Sequence, residues 1–346
     1  MSSAENDSSG RRIAVLGAGA WGTALSNVLA RAGHTVSLWG HDPAHLADIR
    51  RSRVNARYLP CAALEPAVQP LDNLEQACRS VDGVLVAVPS RGVRELGERL
   101  SAMGGLHVPL LSVTKGIEFR TGLTMSGVMR GLGLGSSVAA LSGPTLAEEV
   151  ARMMPSAVVV GSENVECCRF WQTALHRPEF RVYTSPDIQG VELGGALKNV
   201  IAIAAGVSDG LGFGDNSKAA LVTRAIVEVR RLGVACGAMA ETFSGLSGLG
   251  DLTVTCFSKL SRNRAFGERL ARGATVTQIV ESATSIAEGY PTARSAWRLA
   301  RQHQVTTPIV DQVYSMLYEG KNVRQALKDL IARDSKQESE VIGPAD

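Results

Sequence analysis

The sequence predicts an α/β protein in which a parallel sheet domain precedes an all-α C-terminal domain. Three observations support this fold class. Short β-rich runs alternate with helical segments in the first half, a glycine-rich turn follows the first run, and long helical segments take over after about residue 187. Alternating β and α segments favour a parallel sheet with helices on both faces. At 346 residues, the chain is also longer than one ordinary domain.

Six candidate strands define the first domain. They are short apolar runs, and the segments between them have helical spacing, as in residues 93–103. The strands are predicted at residues 13–17, 35–39, 84–88, 110–113, 138–141 and 157–161. We expect this domain to cover residues 11–188, after a disordered polar leader at residues 1–10.

The second domain is predicted to be helical throughout. A turn signal at Ser185, Pro186 and Asp187 marks the change, and we place the domain at residues 189–333, followed by a polar tail at 334–346. Its predicted helices are 191–205, 218–232, 264–272, 292–303 and 309–317.

The glycine-rich turn has the spacing G-x-G-x-x-G, formed by Gly17, Gly19 and Gly22. By itself this spacing is weak evidence, because a chain with 36 glycines produces it by chance. Here an apolar strand enters the first glycine, and an amphipathic helix and a second strand follow. In that context it predicts a Rossmann-type domain with a dinucleotide pyrophosphate at the helix N-terminus. The alternative is a glycine-rich turn without a ligand.

Polar residues follow several predicted strands at the edge where such sheets bind ligands. Gly40, His41 and Asp42 follow the predicted second strand, and Lys115 lies just after the fourth. A lysine beside a glycine at this edge is a candidate ligand contact. The alternative interpretation is an ordinary surface lysine.

Two apolar segments of the second domain contain a single charge each. Lys198 is the only charge in residues 193–207, and Asp251 is the only charge in residues 242–258. A helix that is apolar all round is buried, and a buried charge needs a partner, so we expect these two residues to pair. Burial lowers the pKa of a lysine toward the range useful in proton transfer.

Residues 261–264, Ser-Arg-Asn-Arg, form a cluster of hydrogen-bond donors suited to a phosphate or carboxylate. The alternative is a solvated basic helix start.

Composition excludes several other classes. A net charge of +3 that is spread along the chain gives no basic patch of the kind that binds nucleic acid. Neither a secretory signal nor a membrane span is recognisable. Six cysteines without metal spacing are typical of free thiols in a reducing compartment. His41 and His45 have Pro43 between them, so a metal pair is not expected. We therefore expect a cytoplasmic protein that binds no metal.

Several segments, in this order, make the chain similar to the NAD(P)-dependent glycerol-3-phosphate dehydrogenase family. They are GAGAWGTAL (17–25), VTKGIE (113–118), LSGPTLAEEV (141–150), ELGGALKNVIAIAAG (192–206), GLGDLTVTC (248–256) and SRNR (261–264). The similarity extends from about residue 12 to residue 330. It implies hydride transfer between NADP(H) or NAD(H) and a small phosphorylated substrate, in a homodimer, to supply glycerol 3-phosphate for phospholipids.

The resemblance also assigns roles. Lys198 is the implied proton donor and acceptor. The implied substrate contacts are Lys115, Gly143, Thr145, Lys198, Asp251, Ser261, Arg262 and Asn263. The cofactor would be held by the glycines of the turn and by Ala20, Trp21, His41, Lys115, Ala147, Arg262 and Glu288. Two positions depart from relatives, which often have arginine where this chain has Pro291 and lysine where it has Glu148.

Two other functions remain open: a β-hydroxyacid-type dehydrogenase that acts on a carboxylate substrate, and a non-catalytic dinucleotide sensor. A sensor would not need a buried lysine, which speaks against the second. For cofactor choice, Arg50, Arg51 and Arg53 near the end of the second strand lead us to expect NADPH to be accepted at least as well as NADH.

Overall fold

The computed structural model describes residues 10–135, 137–283 and 287–332. The predicted tail at 334–346 and all of the predicted leader except Gly10 lie outside these residues.

The first domain is built on one eight-stranded sheet and a separate two-stranded hairpin. The strands are β1 Arg12–Leu16, β2 Thr35–Trp39, β3 Val54–Asn55, β4 Leu59–Ala63, β5 Val68–Leu71, β6 Gly83–Val86, β7 Leu110–Ser112, β8 Val138–Ser142, β9 Ser156–Gly161 and β10 Phe180–Ser185. Their order across the sheet is β10-β9-β8-β7-β6-β1-β2-β5, and β3 pairs with β4 in the hairpin. The doubly wound order around β1 is that of a Rossmann-type sheet.

Each of the six predicted strands lies within a residue or two of an observed one, but two features of the sheet differ from the prediction. The edge strands β5 and β10 were missed, as was the hairpin. The sheet is also not entirely parallel, because β8 and β9 pair antiparallel, with Leu141 opposite Val160. The direction of a strand cannot be predicted from an apolar run, because buried parallel and antiparallel strands both have continuous hydrophobic sequences.

Helices cover both faces of this sheet. They are α1 Ala20–Arg31, α2 Pro43–Ser52, α3 Leu74–Cys78, α4 Val93–Ala102, α5 Met125–Gly131, α6 Ala147–Ala151 and α7 Val165–Leu175. Alternate residues of β1 enter different cores: Ile13 and Val15 pack with α1 on one face, while Ala14 and Leu16 pack with α4 and α5 on the other. The cores hold the strand ends in a fixed row, and that row carries the polar residues described below.

The second domain contains helices and no strand among its described residues. The helices are α8 Ile188–Gly210, α9 Asp215–Ala235, α10 Asp251–Phe257, α11 Arg262–Ala271, α12 Val276–Glu281, α13 Gly289–Gln302, α14 Pro308–Tyr318 and α15 Val323–Ile331. A 3₁₀ turn at Ala240–Ser244 and a π turn at Leu246–Gly250 lead into α10. The five predicted helices correspond to α8, α9, α11, α13 and α14.

Helix α8 is the centre of this domain. It is long and apolar enough to cross a membrane by composition, yet 94% of its most apolar window is buried inside the protein, as expected of a core helix. Its main chain lies directly against α11. A Cβ added to Gly206 would lie 1.8 Å from the carbonyl oxygen of Arg264, and one added to Gly267 would lie 1.9 Å from that of Ile203. No side chain larger than hydrogen fits at either position.

Candidate active site

The glycine turn connects β1 to the N-terminus of α1. Gly17 has φ +130°, and a Cβ there would lie 2.6 Å from the main chain of Ala87. A Cβ on Gly22 would lie 1.9 Å from the carbonyl oxygen of Gly17, so Gly22 allows α1 to pack on the turn. Gly19, in contrast, faces open space with no atom within 4 Å of the position of a Cβ, and no side chain caps α1 there. The free N–H groups and the open space fit a pyrophosphate.

The other predicted cofactor residues lie on several elements around this turn. Ala20 and Trp21 are the first residues of α1, and the indole Nε1 of Trp21 is buried without a hydrogen-bond partner in the described part of the chain. His41 is exposed just after β2. Ala147 is the first residue of α6, a helix that packs against α1.

Three charged residues meet where the two domains face each other. Asp251, the first residue of α10, is fully buried and lies between two lysines. Its Oδ1 is 2.5 Å from Nζ of Lys198 on α8, and its Oδ2 is 2.5 Å from Nζ of Lys115, which follows β7. The expected pairing of Lys198 with Asp251 is therefore present, and Lys115 is not an ordinary surface lysine.

Two hydroxyl groups complete the surroundings of the carboxylate. Ser142, at the end of β8, donates to Oδ2 at 3.2 Å, and Thr255 lies 3.3 Å from Oδ1. Lys198 also donates to the Thr255 hydroxyl at 2.7 Å. Neither hydroxyl was predicted to contact Asp251, although Thr255 stands four residues after Asp251 and so must share its helix face.

The pKa values of Lys198 and Asp251 are both lowered, but for different reasons. Desolvation lowers the pKa of Lys198 to about 8, with the nearby Lys115 acting in the same direction and Asp251 acting against it. Burial alone would raise the pKa of Asp251, but the two ammonium groups outweigh it and keep this pKa below its usual value. The cluster thus contains an ionised carboxylate and a lysine able to exchange a proton near neutral pH.

Gly143 and Thr145 lie beside Lys115. Gly143 has φ +144°, and its carbonyl oxygen accepts from Nζ of Lys115 at 3.3 Å and from the Thr145 hydroxyl at 3.1 Å. This short turn after β8 therefore helps to orient the lysine.

The donor cluster at the start of α11 is only partly available to a ligand. The Ser261 hydroxyl caps the helix by accepting from the Arg264 amide. Asn263 donates to Oδ1 of Asn199 at 2.8 Å and accepts from the Gly289 amide at 2.8 Å, so its amide group is occupied within the domain. Asn199 was not predicted, although a buried amide next to Lys198 is a recognisable signal.

Arg262 opens α11 and differs from its neighbours. Arg262 is an exposed residue, but desolvation of its guanidinium by the surrounding protein lowers its pKa, and the carboxylate of Glu288 opposes the shift. Glu288 in turn accepts from the amide of Ser90 at 3.0 Å and from its hydroxyl at 2.6 Å. Because Ser90 follows β6, this contact joins the two domains beside the predicted cofactor cleft. An exposed guanidinium at a helix start, with one acidic neighbour, is a candidate anion site.

The adjacent glycines of α8, Gly194 and Gly195, allow close packing of the protein on itself. A Cβ on Gly194 would lie 2.5 Å from the carbonyl oxygen of Ser247, and one on Gly195 would lie 2.5 Å from Oγ of Ser142. The groups that lie close to these two glycines therefore belong to the protein itself.

The two departures from the family pattern lie at the start of α13 and in α6. Pro291 is the third residue of α13, where the amide it lacks has no acceptor within the helix. Glu148 lies in α6 with its side chain 47% exposed. No group of three His, Cys, Asp or Glu that could hold a metal occurs among the described residues.

A Rossmann-type sheet whose strand ends face a buried lysine and carboxylate defines a class of protein, the two-domain nicotinamide-dependent dehydrogenases. Comparison with known proteins is more specific. The N-terminal part of the NAD-dependent glycerol-3-phosphate dehydrogenase family matches residues 12–168, and the C-terminal part matches residues 187–328. The chain belongs to this family.

Individual relatives agree with this assignment. The chain is 46% identical over 333 residues to the glycerol-3-phosphate dehydrogenase [NAD(P)+] of Geobacter metallireducens, which covers 95% of this chain and 99% of the relative. The crystal structure of glycerol-3-phosphate dehydrogenase from Coxiella burnetii is similar with a TM-score of 0.90 and 37% identity, covering 94% of this chain and 99% of that one. D-mandelate dehydrogenase shares only the fold, with a TM-score of 0.60, 12% identity, and coverage of 89% and 98%.

Proposed function

We propose that this chain transfers hydride reversibly between NAD(P)H and dihydroxyacetone phosphate, giving sn-glycerol 3-phosphate for glycerophospholipid synthesis. The observation that carries the proposal is the buried Lys198, held 2.5 Å from Asp251 at the edge of the sheet that faces the cofactor cleft. Reducing a ketone requires a proton at the carbonyl oxygen, and a lysine with its pKa lowered to about 8 can supply one. Membership of the family supports the same substrate.

The residues around the glycine turn fit the dinucleotide. Gly17 and Gly22 let the turn and α1 pack closely, Gly19 leaves room for the pyrophosphate, and the uncapped N-terminus of α1 offers amide donors to it. Ala20, Trp21, His41, Ala147 and Glu288 border the same cleft in this proposal. When bound, the nicotinamide supplies or accepts the hydride.

Lys198, Lys115 and Arg262 each have a separate role in the proposed reaction. Lys198 donates the proton to the carbonyl oxygen in reduction and takes it back in oxidation. Lys115 stabilises the charge that develops on that oxygen. Arg262 holds the phosphate, because a guanidinium can give two parallel hydrogen bonds to it. Gly143, Thr145, Ser261 and Asn263 border the substrate.

Asp251 acts mainly on the lysines in this proposal. Both of its oxygens already accept hydrogen bonds from an ammonium group, so a direct substrate contact would displace one of them. Its carboxylate keeps two buried ammonium groups together and sets the proton affinity of Lys198.

The decisive experiment follows the absorbance of NAD(P)H in the presence of dihydroxyacetone phosphate. Oxidation of the cofactor with this substrate supports the proposal. Oxidation with a β-keto acid but not with the phosphate would identify the hydroxyacid dehydrogenase instead, and binding of NAD(P)H without turnover of either substrate would identify the sensor. Lys198→Ala is the control for contaminating dehydrogenases, since its preparation should lose the activity.

We also propose a cytoplasmic homodimer. All six cysteines are free thiols in the structure, as is usual for a reducing compartment. Light scattering of the purified protein tests the oligomeric state, and a mass of one chain would contradict the dimer.

A further inference from the structure

Ser142 is a buried hydroxyl that neither the family resemblance nor the proposed mechanism uses. It is the last residue of β8 and is 2% exposed. Its Oγ lies 3.2 Å from Oδ2 of Asp251, the oxygen that also accepts from Lys115. A buried hydroxyl donating to a buried carboxylate disperses part of its negative charge.

The four donors around Asp251 are divided by domain. Oδ2 accepts from Lys115 and Ser142, which both belong to the sheet domain. Oδ1 lies next to Lys198 and Thr255, which both belong to the helical domain. The carboxylate is therefore held from the sheet domain by Lys115 and Ser142 and from the helical domain by Lys198, while the Thr255 hydroxyl donates at 2.6 Å to the main-chain carbonyl of Asp251.

The chain keeps a space for the Ser142 hydroxyl. Gly195 on α8 lies opposite it, and a Cβ at that position would be 2.5 Å from Oγ of Ser142 and 3.4 Å from Cγ of Lys115. Any larger residue at 195 would displace the hydroxyl from the carboxylate. The glycine, the serine and the lysine thus form one packed unit across the domain boundary.

We propose that Ser142 is a positioning residue: its hydroxyl donates to Oδ2 of Asp251 from the sheet-domain side and so limits how strongly the carboxylate holds the Lys198 proton. Its effect on turnover rests on the proposed function, but its effect on the protonation of Lys198 does not. Ser142 acts through Asp251 and needs no contact with substrate.

The direction of the effect follows from the charges around Lys198. The titratable groups that influence it are Asp251, Lys115 and the buried thiol of Cys256. Removing the Ser142 hydroxyl leaves the carboxylate less neutralised by dipoles, so it attracts the Lys198 proton more strongly. In Ser142→Ala we therefore expect the pKa of Lys198 to rise by about 0.5–1 unit, which is about a 3- to 10-fold change in the acid dissociation constant.

Nuclear magnetic resonance of ¹⁵N-labelled lysine side chains measures this directly in the full chain. There are seven lysines, and the Lys198 signal is the one missing from Lys198→Met. Ser112→Ala is the matched control, because this serine ends the neighbouring strand β7 and its buried hydroxyl has no partner among the described residues. The titration midpoint should rise in Ser142→Ala and stay at the wild-type value in Ser112→Ala.

Two further measurements separate positioning from general damage. The alkaline limb of kcat for ketone reduction should move to higher pH in Ser142→Ala, with KM for NAD(P)H unchanged. Ser142→Cys, which keeps a weak donor, should shift the midpoint less than alanine does. Equal midpoints in Ser142→Ala and Ser112→Ala, or a larger shift with cysteine than with alanine, would overturn the proposal. A wild-type protein without activity on dihydroxyacetone phosphate would overturn only the proposed function, since the resonance experiment needs no substrate.

Discussion

Lys198→Ala removes the ammonium group assigned to proton transfer, and the structure indicates what remains. Wild-type Lys198, Lys115 and Asp251 form a buried cluster with two positive charges and one negative charge. In the variant, Asp251 keeps Lys115 at 2.5 Å, so the cluster becomes a neutral pair. Stranding an unpaired buried charge destabilises a protein strongly, but this substitution strands none. We therefore expect Lys198→Ala to fold and to bind NAD(P)H.

The expected loss is in turnover. Positioned acids and bases contribute about 10²–10⁴-fold to rate, so kcat for ketone reduction should fall by about this factor, equivalent to about 3–5 kcal/mol in the barrier. At pH 7, a lysine with a pKa of about 8 is about nine-tenths protonated and ready to donate. Lys198→Met should match the alanine variant, because both lack the proton.

Steady-state kinetics from pH 6 to pH 10 provide the assay. Reduction needs the ammonium form, so kcat of the wild type should fall as pH rises through about 8, while oxidation should rise through the same value. Neither Lys198→Ala nor Lys198→Met should show this change of kcat near pH 8. A variant that keeps more than about a tenth of wild-type kcat, or a wild-type profile without a change near pH 8, would refute the role of Lys198.

Three other predictions follow. Arg262→Ala should raise KM for dihydroxyacetone phosphate about 10- to 100-fold; if kcat/KM relative to unphosphorylated dihydroxyacetone stays constant, Arg262 does not bind the phosphate. NADPH should be used at least as well as NADH, and a tenfold preference of the wild type for NADH would contradict this. Because Arg57 Nη1 lies 3.5 Å from Asp42, just after β2, Arg57→Ala should weaken binding of NADPH more than binding of NADH in fluorescence titrations. Burial raises the pKa of Glu228 to about 7, so its contribution to stability is present below pH 4.5 and is lost as pH rises through 7. Melting temperatures of Glu228→Gln should lack this component, and identical pH profiles for the two proteins would show that Glu228 does not titrate there.

The features that could be predicted from sequence are those with a local signal. The glycine spacing after β1 and the single charges of two apolar segments each lie within one short stretch of chain. Pairing of Lys198 with Asp251 followed because a buried charge needs a partner and the chain offered few.

Other features depend on contacts between distant segments. Ser90 and Glu288 are 198 residues apart, and neither has a neighbour in sequence that indicates the contact. Of the arginines near the end of β2, Arg53 donates to the carbonyl oxygens of Val68 and Glu65, and Arg51 pairs with Asp48 at the surface. Arg57, in the turn between β3 and β4, is the arginine that pairs with Asp42 after β2.

The glycine contact between α8 and α11 has a consequence for which substrates can be accommodated. Lys198 lies on α8 and Arg262 begins α11, and main chain touches main chain at Gly206 and Gly267. The backbone therefore sets the spacing between the proposed proton donor, Lys198, and the proposed phosphate anchor, Arg262. Exchanging side chains around the candidate site would alter its shape and charge but not the spacing between these two helices. A longer or shorter phosphorylated ketone would require the two helices to be rebuilt, so directed evolution toward such substrates should meet its main barrier at these two glycines.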